Sequence, residues 1–345
     1  MKINNISELV EKYSLNVNTD ENLVSLCYHQ TKTPNNDETA IYRGIVIDTD
    51  TGNVVCYPFY RFNDYDTKKN KLDLVNGKFY PKIDGSIVTL YNYKGVWKVS
   101  TKGTPTGKGR VEKDNDLTIS QYYFDVLGDT SELNPDYYYI TEFKFPSKSH
   151  HFIPCNNPVI TLTGVRDSAT MKELPLDMFK DLKCFNHLVP ITFNSEKELY
   201  DNIYNLNPYY DEGYVYVSNE LDINGNYTRY KIKSPQFDLL SNLRKGDNIN
   251  DESKRLNLVW LKKICIVNKH RDFLIKYPMF VDIVKEIDKS INLVREEFNS
   301  SINLSKQELI QANISQMVKG YLILNIDKPK DIDTFIRNID VRNLK

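Results

Sequence analysis

The stretch Lys82-Ile83-Asp84-Gly85-Ser86 holds residue types that could carry covalent chemistry. A lysine is followed by an acid, a glycine and then the β-forming run Ile87-Val88-Thr89-Leu90-Tyr91. A lysine that attacks phosphorus must be held rigidly and be partly deprotonated, and nearby cations and partial desolvation lower its pKa. Gly85 would let backbone approach a bound ligand closely. Lys-x-Asp-Gly turns are common, so the pentapeptide needs partners. Nucleotidyl transfer onto lysine would require cations for the phosphates, carboxylates for a metal and a ribose, and a pocket for the base.

Candidates for each requirement occur elsewhere in the chain. Lys231-Ile232-Lys233 puts two ammonium groups on one face of an expected strand, with Tyr230 and Ile232 on the other. An anion between the two lysines would relieve their repulsion. Asp211-Glu212-Gly213 opens the partner strand, which brings Glu212 into the same small sheet. Glu142 lies within the apolar run Tyr138-Tyr139-Ile140-Thr141-Glu142-Phe143, where an acid is costly to bury without a cation or donor. Arg43-Gly44 precedes a strand and Lys102-Gly103-Thr104 follows one. Arg166 ends a strand with no assigned role, and the His150-His151 pair reads as structural rather than metal-binding.

The elements that must position these groups follow from periodicity. A helix is expected from Asn5 to about Tyr13, with Asn5 and Glu8 as a capping pair. Gly44–Asp48 and Val54–Tyr57 read as paired strands, and Ser86–Tyr93 with Val96–Ser100 as a hairpin across Lys94-Gly95. Strands are expected at Tyr137–Phe145 and Val159–Val165, and helices at Thr118–Leu127, Met171–His187 and Glu196–Leu206. A second hairpin joins Tyr214–Val217 to Tyr227–Lys233 through Asn224-Gly225. Beyond about Asn242 the period is helical, over Leu256–Tyr277, Phe280–Phe298 and Ser305–Leu324, the last opened by a Ser305/Glu308 capping box, with a short helix after Pro329. The fold class is therefore α+β over residues 1–242, followed by a helical domain over 243–345.

Composition narrows the function classes. The 345 residues carry 45 basic and 46 acidic side chains, so bulk attraction to nucleic acid is excluded and any polyanion site must be local. The 24 tyrosines suit sheet surfaces and base stacking as well as ordinary cores. Five scattered cysteines without a Cys-x-x-Cys point to a reduced, intracellular chain without structural zinc. Neither a signal peptide nor a membrane span is expected.

In chain order, Arg43-Gly44, Lys82-Ile83-Asp84-Gly85, Lys102-Gly103, Glu142-Phe143, Glu212-Gly213 and Lys231-Ile232-Lys233 resemble the covalent nucleotidyltransferase superfamily of nucleic-acid ligases and mRNA capping enzymes. In detail the chain is most similar to the phage T4 RNA ligase 1 family. The resemblance covers about the first 240 residues and includes Tyr42-Arg43-Gly44, Tyr57-Pro58-Phe59-Tyr60-Arg61-Phe62-Asn63, Ser100-Thr101-Lys102-Gly103-Thr104 and Glu212-Gly213-Tyr214-Val215. It departs at Arg61, where the family has lysine, at Asn63, where it has phenylalanine, and at the basic stretch after Glu142.

The resemblance implies a nucleotidyltransferase domain of antiparallel sheets with flanking helices. It implies an ATP-dependent RNA ligase that joins 5′-phosphate and 3′-hydroxyl ends through AMP on Lys82, as a monomer in RNA or tRNA repair. By that resemblance Glu142 holds the ribose, and with Glu212 serves a Mg2+ site that Mn2+ can also fill. Lys231 and Lys233 hold phosphates and assist catalysis, Arg43, Arg61 and Lys102 contact ATP, and Gly85 lines its site. A capping guanylyltransferase, a DNA ligase and a catalytically inactive RNA-binding relative are the alternatives. RNA ligase 1 proteins carry a helical C-terminal domain associated with tRNA. Here Lys262, Lys263, Lys269, His270 and Arg271 could meet RNA backbone, or form a solvated helix face.

Overall fold

Alternating apolar residues build three sheets in the computed structural model. The structure describes residues 1–112, 116–146, 153, 155–208, 210–238, 258–267, 270–276, 281–328 and 330–339. Two compact units, Met1–Ser234 and Pro235–Lys345, divide the chain.

In the first unit, β1 (Leu15–Asp20), β2 (Leu23–Tyr28), β3 (Arg43–Asp48) and β4 (Val54–Cys56) form a four-stranded antiparallel sheet. A six-stranded sheet contains β6 (Ser86–Tyr93), β7 (Val96–Thr101), β8 (Tyr137–Lys144), β9 (Val159–Asp167), β10 (Glu173–Leu174) and β11 (Asn186–His187). A three-stranded sheet has the order β13 (Tyr227–Lys233), β12 (Gly213–Leu221), β5 (Lys78–Pro81).

The period of two decides what each face of the six-stranded sheet meets. Val88, Leu90, Tyr139 and Phe143 pack on one side against Ile119, Tyr123 and Leu127 of helix α2 (Ile119–Leu127). Tyr91, Tyr93 and Tyr138 join Ile45, Ile47 and Leu26 of the four-stranded sheet in a separate core. The three-stranded sheet buries Phe79, Tyr214, Tyr216 and Ile232 against Leu199 and Ile203 of helix α3 (Glu196–Asn205). Helix α1 (Ile6–Tyr13) lays Ile6, Leu9, Val10 and Tyr13 on the second core.

The β6–β7 hairpin turns at Lys94-Gly95, both with positive φ, as the sequence predicts. Met171–His187 is not a helix. Pro175 has no N–H to donate and ends β10, which pairs with Val165 and Arg166, and a 3-10 turn follows at Leu176–Phe179. Asn186 and His187 then pair with Thr161 and Leu162. Asn5 adopts φ 59°, and its amide donates to Glu8 instead of accepting a helix N–H.

In the second unit every regular element among the described residues is a helix: α4 (Leu258–Ile266), α5 (His270–Lys276), α6 (Val281–Ser301), α7 (Lys306–Gln311), α8 (Gln316–Leu324) and α9 (Ile332–Arg337). The expected single helix over Ser305–Leu324 is two. The Ser305/Glu308 capping box is present, but the chain extends at Ala312, and the Ser315 N–H donates to Glu297 in place of a helical carbonyl. Among the described residues no helix is long and apolar enough to cross a membrane.

A buried ionic network ties β9, β10 and β13 together. Arg229 makes a bidentate contact with Glu173 at 2.8 and 2.5 Å, and Arg166 approaches the same carboxylate at 3.5 Å. Arg166 and Glu173 are 0% and 2% exposed. Arg166 also donates to the Met171 carbonyl and to Asn226, and its guanidinium stacks on Tyr57, while that of Arg229 stacks on Phe59. Removing the shared acid would leave two buried cations uncompensated. Glu173→Ala is expected to lower unfolding free energy by about 3–5 kcal/mol, read from urea denaturation. A cost below about 1 kcal/mol would mean that the guanidiniums find other partners.

Candidate active site

Lys82 follows β5 in the three-stranded sheet, whereas Ser86 begins β6 in the six-stranded sheet. The pentapeptide is therefore the crossing between two sheets. The Lys82 N–H donates to the Gly213 carbonyl at 2.8 Å, which extends the β5–β12 pairing by one residue. Gly213 has φ 141°, and a Cβ there would collide with the Ile232 carbonyl, so the residue after Glu212 must be glycine. Glu212 is anchored in turn by its carbonyl, which accepts from Ser234 N–H at 2.9 Å. These backbone ties place Lys82 Nζ 2.6 Å from Glu212 Oε2, with the side chains 20% and 8% exposed.

Glu142 stands on β8 opposite Ile87 of β6 and Thr161 of β9. Its neighbour Phe143 points into the α2 core, so alternation sends Glu142 to the opposite face. Gly85 permits this approach: a Cβ there would lie 2.8 Å from Glu142 Cγ and 3.1 Å from the Phe143 carbonyl. The room is used by a protein side chain and backbone, where the sequence suggests a ligand. Burial pushes the Glu142 carboxyl up to about 7, against the pull of Lys82 and Arg43 and with the repulsion of Glu212 and Asp84. Burial also raises Glu212, opposed mainly by Lys82.

Lys231 and Lys233 extend from the face of β13 opposite Ile232, which is core. Desolvation pushes Lys231 down to about 8, with Arg43, Lys233 and Lys82 adding repulsion and Asp64 opposing it. The neighbouring cations thus bear on this lysine. Arg43 begins β3, donates to the Tyr60 carbonyl at 3.2 Å and lies over the Phe62 ring at 4.7 Å, with Lys231 Nζ 5.4 Å from the same ring. Burial lowers the Arg43 pKa from its ordinary value. Asn63, at the position of the family's second phenylalanine, contributes its backbone: its carbonyl accepts from Lys231 N–H at 3.0 Å.

Lys82, Arg43, Gly85, Lys102, Glu142, Glu212, Lys231 and Lys233 all line one cavity of about 630 Å³. Arg61 is not among its lining residues. Its guanidinium lies 4.2 Å from the Tyr28 ring, and Lys102 Nζ lies 4.3 Å from the same ring. Tyr28 itself lines the cavity.

Sequence reading missed Tyr28, Phe62 and Arg229 as lining residues. The signal for Arg229 was available, because it precedes Lys231 by two on the same strand face. Tyr28, at the end of β2, and Phe62, in the irregular segment after β4, have no such signal, since their role comes from segments distant in sequence meeting in space. Of the basic tail cluster, His270 turns toward Asp288 at 3.3 Å. His150, His151 and Lys269 lie outside the described residues.

The cavity can hold a polyphosphate against several cations. A half-buried carboxylate and a buried one that repel each other suit a divalent cation, because an added positive charge would relieve both desolvation and repulsion.

No protein-family model matches the chain. It is similar to a putative bifunctional polynucleotide kinase/RNA ligase of Autographa californica nuclear polyhedrosis virus, 23% identical over 91% of this chain. The chain spans 46% of that relative's length. Among solved structures, an archaeal ATP-dependent RNA ligase aligns over 96% of this chain and 76% of its own, at 13% identity and TM-score 0.48. A putative ATP-dependent DNA ligase from Aquifex aeolicus aligns over 85% and 80%, at 11% identity and TM-score 0.47.

The Glu142 carboxyl has a testable consequence for the metal-free protein. The folded carboxyl keeps its proton up to about pH 7, whereas the unfolded one releases it near its ordinary value. The folded state binds more protons in between, so stability falls as pH rises through that window, by at most roughly 1.4 kcal/mol per pH unit. Unfolding free energies measured from pH 5 to 8 should show this decline in the native protein and a shallower one in Glu142→Gln, where the raised Glu212 still contributes. Equal slopes would mean that the carboxyl is ionised in the folded state.

Proposed function

We propose that this chain is an ATP-dependent RNA ligase that uses Lys82 as its nucleophile. The observation that carries this reading is a lysine held at 2.6 Å by a buried carboxylate inside a cation-lined cavity. The similarity to the viral kinase/RNA ligase supports RNA over DNA as the substrate.

In the first step the Lys82 Nζ lone pair attacks the α-phosphorus of ATP. The bond from that phosphorus to the bridging oxygen breaks, and pyrophosphate leaves. Glu212 Oε2 is positioned to take the Nζ proton, and its burial makes it a stronger base than an exposed carboxylate. Arg43, Lys102, Lys231 and Lys233 supply fixed positive charge where phosphate charge develops. Glu142 holds the ribose and, with Glu212, a divalent cation, Mg2+ or Mn2+. When bound, that cation neutralises phosphate charge and disfavours the Lys82 ammonium. In the second step an RNA 5′-phosphate oxygen attacks the same phosphorus and the P–N bond breaks, returning the electron pair to Nζ. A 3′-hydroxyl then attacks the RNA 5′-phosphorus and displaces AMP.

We assign the helical second unit to the choice of RNA, with Lys262 and Lys263 toward its backbone and tRNA as the first substrate to try. The enzyme is taken to act as a monomer.

Incubation with α-labelled ATP and a divalent cation, followed by a denaturing gel, tests the reading. Native protein should be labelled, Lys82→Ala should carry no label, and Lys231→Ala should fall at least about 100-fold. Label retained on Lys82→Ala would sink the nucleophile assignment. Label from GTP alone would move the protein to capping chemistry. No label from either nucleotide on a folded protein would leave a non-catalytic RNA-binding chain. Removing the second unit should keep lysine labelling and change which RNA is joined. A folded truncation without label would refute this division of labour.

A further inference from the structure

Three helices of the second unit bring together side chains for which the ligase reading has no use. Cys265 lies one residue before the end of α4, His270 opens α5, and Asp288 lies within α6. One ligand atom from each falls within 4.8 Å of the others. His270 Nε2 and Asp288 Oδ2 are 3.3 Å apart, about the separation of two ligands on one tetrahedral Zn2+. Cys265 is only 3% exposed. An ordinary ion pair accounts for His270 and Asp288. It does not account for the buried sulfur beside them.

We propose that Cys265, His270 and Asp288 form a zinc site that clamps α4, α5 and α6. The donor set argues for the metal. A thiolate, an imidazole and a carboxylate together suit Zn2+, whereas Mg2+ takes oxygen ligands and leaves sulfur alone. The charges also balance, with one thiolate and one carboxylate against a divalent ion. Binding replaces the thiol proton, which goes to solvent, by a sulfur–metal bond. Three protein ligands leave a fourth position for water. The site is separate from the divalent cation proposed at Glu142 and Glu212, and it does not depend on the ligase reading.

The sequence did not disclose it. Cys265 and His270 are four residues apart in the intervening count, but Asp288 comes from another helix, and no Cys-x-x-Cys announces the set. The expectation of a chain without structural zinc rested on that missing motif.

The test uses full-length protein stripped by a chelator and titrated with Co2+. The expected result is the near-ultraviolet absorption of a thiolate–cobalt bond, its amplitude saturating with one ion held by Cys265 per chain and reversed by Zn2+. Thermal unfolding should move up by several degrees with Zn2+. Cys265→Ser should abolish the absorption, and His270→Gln should weaken Co2+ binding at least about 100-fold. Glu142→Gln should bind Co2+ through Cys265 as the native chain does. Circular dichroism identifies variants that fail to fold. If Cys265→Ser does not fold, zinc content of the native protein decides, with about one per chain expected and none overturning the proposal. Absence of thiolate–cobalt absorption, or its persistence in folded Cys265→Ser, would also overturn it.

Discussion

The contact between Lys82 and Glu212 depends on where two sheets part. Lys82 is the residue at which the chain leaves the three-stranded sheet for the six-stranded one, and its N–H is still paired to Gly213. The carboxylate that meets its side chain sits one residue before that same glycine. The proposed nucleophile and its candidate base are thus fixed to each other by backbone hydrogen bonding. The other charged groups arrive from three directions: Glu142 from the middle of a buried strand, Arg43 from the start of another, and Lys231 with Lys233 from a hairpin edge.

Crowding like charges together is unfavourable unless an anion or a metal completes the set. Desolvation pushes Lys231 down to about 8 and Glu142 up to about 7. A triphosphate with a divalent cation would reverse both pressures at once, which is the physical sense in which the cavity is complementary to such a ligand. The rings of Tyr28 and Phe62 each face two cations, giving the positive charge a support that does not neutralise it.

Holding this cavity open requires a rigid frame behind it. Arg229 lines the cavity and also grips Glu173 in the buried network that joins β13 to β9 and β10. The strand that carries Lys231 and Lys233 is therefore locked to the sheet that carries Glu142. Arg166, which the sequence presents as an ordinary strand-ending arginine, is fully buried at the centre of that lock.

From the sequence alone, the strands with clean alternation were legible, as were the Lys94-Gly95 and Asn224-Gly225 turns and the helix after Thr118, because local period and turn chemistry dictate them. Glu142 was legible too, since an acid within Tyr138–Phe143 is costly to bury without a partner, whereas the other charged residues of the cavity stood out only through the joint order and spacing that carry the family resemblance. Tertiary structure decided the rest. Pro175 and pairing to β9 overrode the helical period of Met171–His187. A hydrogen bond to Glu297 split the Ser305–Leu324 helix. The contact of Arg61 with Tyr28, the partners of Arg166 and the meeting of Cys265, His270 and Asp288 all join residues that are distant in sequence, and no local pattern encodes such contacts. Periodicity reports which face of an element is buried; only the packed structure determines which side chains meet there.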